Sequence, residues 1–214
     1  MNDSRHTGAI RTVPATELRL AYRSSTLRGT DRAVVTDVTM RLTDRPVTVR
    51  YGELARALGV EPGGSAPASA VRQAVLGLRR AKGMVLDPDD PDTYSAGSFF
   101  TNPILGAEQS AAVDAAIRAA LGPDVTYPRY PVAGQDAASK LSAAWLIERA
   151  GFPKGYQGPG GRVAVSSKHT LALTNRGGST ADLIALAREI RDGVRTAFGV
   201  TLHPEPLLIG VVLD

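Results

Sequence analysis

Gly97-Ser98-Phe99-Phe100-Thr101-Asn102-Pro103 sets two adjacent aromatic rings between a hydroxyl and an amide. It follows Asp87-Pro88-Asp89-Asp90-Pro91-Asp92, whose prolines forbid a helix and whose charges favour solvent, so a polar connector is expected there. Two readings of the aromatic segment stay open. In one it is a strand end with a single Phe in the core. In the other, buried rings hold Ser98 and Asn102 at the rim of a pocket.

Upstream of the connector, residues 9–13 and 33–42 are predicted strands. In Ala33 to Leu42 the positions 34, 36, 38, 40 and 42 share a mostly apolar face, while Asp37, Thr39 and Arg41 point the other way. Val47 to Tyr51 is a second short β run, and Pro62 to Pro67 is a loop. A helix is predicted over 68–81, because Val71, Ala74, Val75 and Leu78 make one apolar stripe.

Downstream, a helix is predicted over 107–121 with Val113, Ala116, Ile117, Ala120 and Leu121 inward. Another is predicted over 138–150 around Leu141, Trp145 and Leu146. A Gly- and Pro-rich stretch, 151–161, leads into a β run from Val163 to Leu173. Ser179-Thr180-Ala181-Asp182 has the form of a capping box with Asp in place of Glu. The stripe Leu183, Leu186, Ile190, Val194 and Phe198 continues that helix until Gly199 ends it. Leu207 to Leu213 is a predicted final strand. Strands and helices mix without strict alternation, so the fold class is α+β. The connector near 87–96 marks a boundary, and the last strand is expected to return to the first subdomain, since an isolated hairpin over 9–42 needs partners.

The chain of 214 residues is long enough for one large domain or two small ones. It contains no Cys, which excludes disulfides, thiolate metal sites and Cys nucleophiles. No apolar run reaches the ~18 residues of a membrane span. The stretch Met1 to His6 has no apolar core behind it and is not a signal peptide, so a cytoplasmic protein is expected. The net charge of +4 is small and dispersed. It suits a phosphorylated ligand better than nucleic acid. The three histidines, His6, His169 and His203, lie far apart, a spacing that argues against a metal site. No phosphate-binding lysine loop, zinc-protease pair or nucleophile elbow occurs.

Three other segments carry restricted chemistry. Tyr22-Arg23-Ser24-Ser25 holds an Arg that is either a solvated surface charge or, if buried, must face a carboxylate or phosphate. Pro204-Glu205-Pro206 fixes a carboxylate between two rigid φ angles. Gly155 to Gly161 is either a turn or a place where a ligand approaches the backbone. Spacing alone does not show that any of these meet.

The order of these pieces resembles the UDP-N-acetylenolpyruvoylglucosamine reductase (MurB) family, in its C-terminal part. Tyr22-Arg23-Ser24-Ser25 resembles one family signature, and Gly97 to Pro103 resembles the most specific one. Ser142 to Glu148, with Ala143-Ala144-Trp145-Leu146-Ile147 at its centre, resembles a family helix. Gly155-Tyr156-Gln157-Gly158, Ala164 to His169 and Leu202-His203-Pro204-Glu205 resemble the later signatures. The resemblance implies an FAD- and NADPH-dependent oxidoreductase of peptidoglycan synthesis, a flavoprotein tied to cell wall biogenesis, cell shape, cell cycle and cell division. Its substrate would be UDP-N-acetylglucosamine enolpyruvate. By resemblance Ser98 would be the proton donor, and Arg23 and Glu205 would stabilise the enol-like intermediate. Tyr51, Lys82, Asn102 and Gln157 would hold the UDP-sugar, and Arg79 would join them. The family's flavin domain and Gly-rich pyrophosphate loop have no counterpart in this sequence. The FAD site is therefore expected to be largely outside it, and unpartnered sheet edges would favour self-association. Residues 1–86, completed by 200–214, would be part of the second, flavin-side domain, and 87–199 the substrate-binding domain. A UDP-sugar-binding or regulatory protein of the same family without redox activity is the alternative.

Overall fold

The computed structural model describes residues 8–21, 24–132 and 134–213, positions 135 and 136 in backbone alone. Its contacts divide the chain into two units, Met1–Arg45 and Pro46–Asp214.

In the first unit a short 3-10 turn spans Ala15–Leu18. The Thr26 N–H donates to the Leu18 carbonyl at 2.8 Å, and the Arg32 guanidinium donates to the Thr26 carbonyl at 2.7 Å. The strands predicted over 9–13 and 33–42 do not form among the described residues. Val34, Val38, Met40 and Leu42 remain exposed. The period-2 pattern therefore makes neither a buried face nor a strand: a strand exists only when a neighbour takes its N–H and C=O groups.

The second unit opens with a small cluster. Strand β1 (Val47–Thr48) pairs antiparallel with β2 (Ser65–Ala66), and α1 (Gly52–Leu58) and α2 (Ala68–Ala81) pack beside them. Val49, Ala55 and Ala66 are buried, with Leu54, Leu58, Val60 and Val71 against them. Helix α2 has its predicted bounds. Helix α1 was not foreseen, because seven residues are too few to show a helical period. Lys82 closes α2, and the chain then turns through Gly83 at φ +66. The Gly83 N–H bonds the Arg80 carbonyl at 3.0 Å and the Met84 N–H bonds the Arg79 carbonyl at 2.8 Å, the pattern of a Schellman cap.

The rest of the unit is two small antiparallel sheets and three helices. Strands β3 (Ser95–Ser98), β4 (Ile104–Leu105), β5 (Arg129–Val132), β6 (Gln135–Leu141), β7 (Val163–Val165) and β8 (Ala172–Asn175) form sheets of order β3-β8-β7 and β4-β6-β5. Helices α3 (Ala107–Leu121), α4 (Ala143–Arg149) and α5 (Thr180–Phe198) complete it. The main core joins Phe99, Phe100, Ile117, Leu146, Ile147 and Val165 to Leu186, Ile190, Val194 and Phe198 of α5. Both phenylalanines of the aromatic pair are inside, at 4% and 1% exposure, which fits the reading with buried rings and not the one with a single core Phe. The predicted capping box is present. The Asp182 N–H donates to Ser179 Oγ at 3.2 Å, and the Ser179 N–H donates to the Asp182 carboxylate at 2.8 Å. The structure is α+β, as predicted.

Several boundaries differ from the prediction. The β run over 47–51 is a strand only at Val47–Thr48, and the loop over 62–67 contains β2. The helix predicted over 138–150 begins only at Ala143, since the residues before it are β6, the middle strand of its sheet. Asn102 and Ser142 take the first amides of α4 and so place its start. The β run over 163–173 is two strands joined by a tight loop at 166–171. The tail over 207–213 is not a strand, because arginines of α5 occupy its carbonyls. Arg188 donates to Val212 at 3.0 Å, and Arg191 donates to Leu213.

Gly83 has a second constraint: a Cβ there would sit 3.0 Å from the Asp92 carbonyl oxygen and 3.2 Å from its Cβ. The left-handed backbone and the close approach act together. Gly83→Ala is expected to destabilise the protein by about 1–3 kcal/mol, lowering the melting temperature by roughly 3–10 °C in a thermal scan. An unchanged melting temperature would refute the close approach.

Candidate functional site

Ser98 ends β3. The pairing runs Ser95 with Thr174 and Ser98 with Ala172, so β3 carries one extra residue, a β-bulge. Gly97 supplies the left-handed step this requires, at φ +79. After the bulge the Phe99 N–H bonds the Leu171 carbonyl at 2.7 Å, and the Phe99 and Phe100 rings pack edge-to-face with centroids 5.0 Å apart. These buried rings anchor the strand end, so the half-buried Ser98 cannot swing away without opening the core.

The segment that carries Glu205 comes to the residues just after β3. Phe100 bridges Pro204, the Thr101 N–H donates to the His203 carbonyl at 3.0 Å, and the Glu205 N–H donates to the Phe99 carbonyl at 2.8 Å. The Gly97-to-Pro103 segment and the Leu202-to-Glu205 segment, a hundred residues apart, are therefore backbone neighbours. Glu205 sits beside the residue that follows Ser98. Arg23, the third expected catalytic residue, lies outside the described residues.

His169 approaches Ser98 from the loop between β7 and β8. Its Nε2 lies 3.5 Å from Ser98 Oγ. The loop is pinned at several points. Buried Ser166 Oγ accepts the N–H groups of Lys168 at 3.1 Å and His169 at 3.2 Å. The Thr170 hydroxyl donates to the Glu148 carboxylate of α4. Asp92, only 3% exposed, accepts the Ser167 N–H at 3.1 Å, the Ser167 hydroxyl, and the Arg176 guanidinium at 2.8 Å. Burial disfavours the Asp92 carboxylate, but the hydrogen bonds from Ser167 and Arg176 outweigh it and hold its pKa below the usual range. Burial also pushes the His169 imidazole below its ordinary value. Lys82 and Lys154 push the same way, and Glu53 opposes them.

Lys82 itself is ion-paired with Glu53 at 2.6 Å. That hydrogen bond, with a smaller one from Tyr51, lowers the Glu53 pKa. Tyr51, Glu53 and Arg56 line an open cleft of about 660 Å³. A second cleft, of about 400 Å³, lies between Arg79, Gly83 and Met84 on one side and Ser95 and Gly97 of β3 on the other. Arg79 thus borders the strand that carries Ser98, and Lys82 lies within electrostatic range of His169.

The remaining expected residues lie farther out. Asn102 is in the aromatic segment, but its Oδ1 accepts the Ala143 N–H at 2.9 Å, a capping role for α4. Gln157 bridges Ala164 of β7. Since Ala164 pairs with Thr174 and Thr174 with Ser95, Gln157 stands three strand spacings from β3, roughly 14 Å. His169 was missed as a site residue. Its partner Ser98 is distant in sequence, and no spacing rule joins a serine to a histidine across a sheet. Glu53, the partner of Lys82, was missed for the same reason.

The family model described as UDP-N-acetylenolpyruvoylglucosamine reductase, C-terminal domain, matches residues 89–209. The UDP-N-acetylenolpyruvoylglucosamine reductase of Saccharopolyspora erythraea is 58% identical over 212 residues, covering 98% of this chain and 57% of that protein. The proteins of the same name from Thermobifida fusca and Corynebacterium diphtheriae are 58% and 56% identical, covering 95% and 97% of this chain and 57% and 53% of theirs. The chain therefore spans little more than half the length of these relatives.

Asp92 makes stability depend on pH. Its folded pKa lies below the unfolded value of about 3.9. Its contribution is therefore fully present above that value and is lost as pH falls through the folded pKa. Denaturant titrations should show stability falling below about pH 4. Asp92→Asn should cost about 1–3 kcal/mol at pH 7 and flatten that fall. An Asp92→Asn protein with the same acid response as the parent would refute the assignment.

Proposed function

Because this chain belongs to the UDP-N-acetylenolpyruvoylglucosamine reductase family, we propose that it supplies the substrate-holding and proton-donating part of the reduction of UDP-N-acetylglucosamine enolpyruvate to UDP-N-acetylmuramate. One observation carries the proposal. The Glu205 N–H bonds the Phe99 carbonyl at 2.8 Å, which joins the proton-donor segment to the carboxylate segment.

A reductant held outside the described residues would supply hydride to the terminal alkene carbon, which would place negative charge on the neighbouring carbon and spread it into the carboxylate. Ser98 Oγ–H gives its proton to that carbon. A Ser hydroxyl is a weak acid, and it serves here because the acceptor is strongly basic and held in contact. Arg23 and Glu205 stabilise the enol-like intermediate, where a preorganised charge or donor acts most strongly in a site closed to water. Lys82 and Arg79 are the cations for the diphosphate, with Tyr51, Asn102 and Gln157 as further contacts to the UDP-sugar. Lys82 is held ready by Glu53, so a diphosphate competes with that carboxylate for it. In this reading residues 1–86 with 200–214 belong to the flavin-side domain and 87–199 to the substrate-binding domain, and the protein works in the cytoplasm.

FAD and NADPH belong to the proposal as groups that the described residues do not fit. Neither cleft has a glycine-rich turn leading into a helix N-terminus. The larger one is lined by Tyr51, Glu53, Arg56, Ala57 and Leu78, with no glycine among them to let a pyrophosphate approach the backbone. No step is assigned through either cofactor.

Calorimetry of the chain with UDP-N-acetylmuramate should show saturable binding. Lys82→Ala should weaken it about 10- to 100-fold, the loss of one charge-assisted hydrogen bond. The absence of binding, or equal binding by Lys82→Ala, would sink the substrate assignment. In a flavin-loaded reductase that includes this chain, Ser98→Ala should cut NADPH oxidation about 10²- to 10⁴-fold. Full activity would remove Ser98 from its role.

A further inference from the structure

We infer that His169 is a positioning residue for Ser98, donating its Nε2–H to Ser98 Oγ so that the serine proton points into the site and the charge left on Oγ is supported. The inference rests on the proposed reduction and adds to it a role for a residue to which the family resemblance gave none.

The geometry supports it in three ways. The separation of 3.5 Å is at the long end of hydrogen bonding, as such contacts often are before a ligand closes the site. The loop bearing His169 is held by Ser166, Thr170 and the buried Asp92, far more anchoring than a surface loop needs. Ser98 sits on a bulge locked by two buried rings, so both partners are fixed before any ligand arrives.

The surroundings select the protonation state. His169 is half-buried and faces the positive charges of Lys82 and Lys154, with Glu53 the opposing carboxylate. A neutral ring carries one N–H and must choose a nitrogen for it. With the proton on Nε2, Ser98 Oγ accepts from the ring and its own proton is free for the substrate. With the proton on Nδ1, Nε2 would instead draw the serine proton toward itself, as in a nucleophilic serine. Only the first arrangement serves proton donation. In that step the Oγ–H bond breaks as the new C–H bond forms. The electron pair stays on Oγ under the Nε2–H bond, and a solvent proton restores the hydroxyl.

Nitrogen-15 NMR of the ring, recorded on the chain near neutral pH, reads the tautomer without any cofactor. The expected result is a neutral Nε2–H ring whose Nε2 shift moves on Ser98→Ala. A neutral Nδ1–H ring, or an Nε2 signal indifferent to Ser98→Ala, would overturn the inference. Kinetics then separate positioning from folding. In a flavin-loaded reductase that includes this chain, His169→Ala should lower kcat at least tenfold with KM little changed. His169→Gln, whose amide can place an N–H near the same point, should restore most of kcat with an unchanged melting temperature. Equal kcat in the parent and His169→Ala would overturn the inference. A parent that binds no UDP-sugar and shows no reductase activity would instead overturn the proposed function, and the tautomer would still decide the Ser98–His169 contact.

Discussion

The buried Asp92 carboxylate ties together the parts that make the site. It comes from the polar connector, accepts from Ser167 in the β7–β8 loop, and pairs with Arg176 just beyond β8. Gly83, at the end of α2, packs directly against its backbone. One residue thus links the helix that carries Arg79 and ends at Lys82 to the loop that carries His169. Burying a carboxylate costs free energy unless its oxygens are well satisfied, and here both accept hydrogen bonds. Placement of the surrounding groups follows from that satisfaction.

Around this anchor, rigid elements present reactive groups and short loops aim them. The β3 bulge turns Ser98 while Phe99 and Phe100 hold the strand in the core. The backbone contacts of 99–101 with 203–205 then bring Glu205 alongside without a regular strand at the C-terminus. Such contacts need no side-chain complementarity, only a free donor and acceptor on each side. The two prolines around Glu205 suit this, since they stiffen the segment while the Glu205 N–H stays available.

Several cations lie around His169 and β3. Lys82 and Lys154 act on His169, Arg79 borders β3, and the Lys82 ammonium is held by Glu53 rather than left to wander. A cation already oriented loses less entropy when a phosphate arrives, although the carboxylate that orients it must then be displaced or shared. Under the proposed function, the balance between those two effects would set how strongly Lys82 holds the diphosphate.

The sequence by itself determined the features whose physics is local. Helix α5 with its capping box, the bounds of α2 and α3 and the α+β class follow from periodicity and caps, whereas the connector expected to be non-helical and solvated holds a 3-10 turn at Pro91–Thr93 and the buried Asp92. The order of the short signatures carried the family, because an ordered set of rare segments is itself a sequence property. The strands were a different matter. The patterns at 33–42 and 207–213 were strand-like, yet the first has no partner among the described residues and the second lost its carbonyls to Arg188 and Arg191. The end of strand β6, from 138 to 141, fell inside a predicted helix, because alternation over a few residues reads as either period. The meetings of Ser98 with His169, Lys82 with Glu53, and Phe99 with Glu205 were decided by tertiary structure alone. A contact between distant residues depends on how whole elements pack, and sequence spacing does not encode that distance.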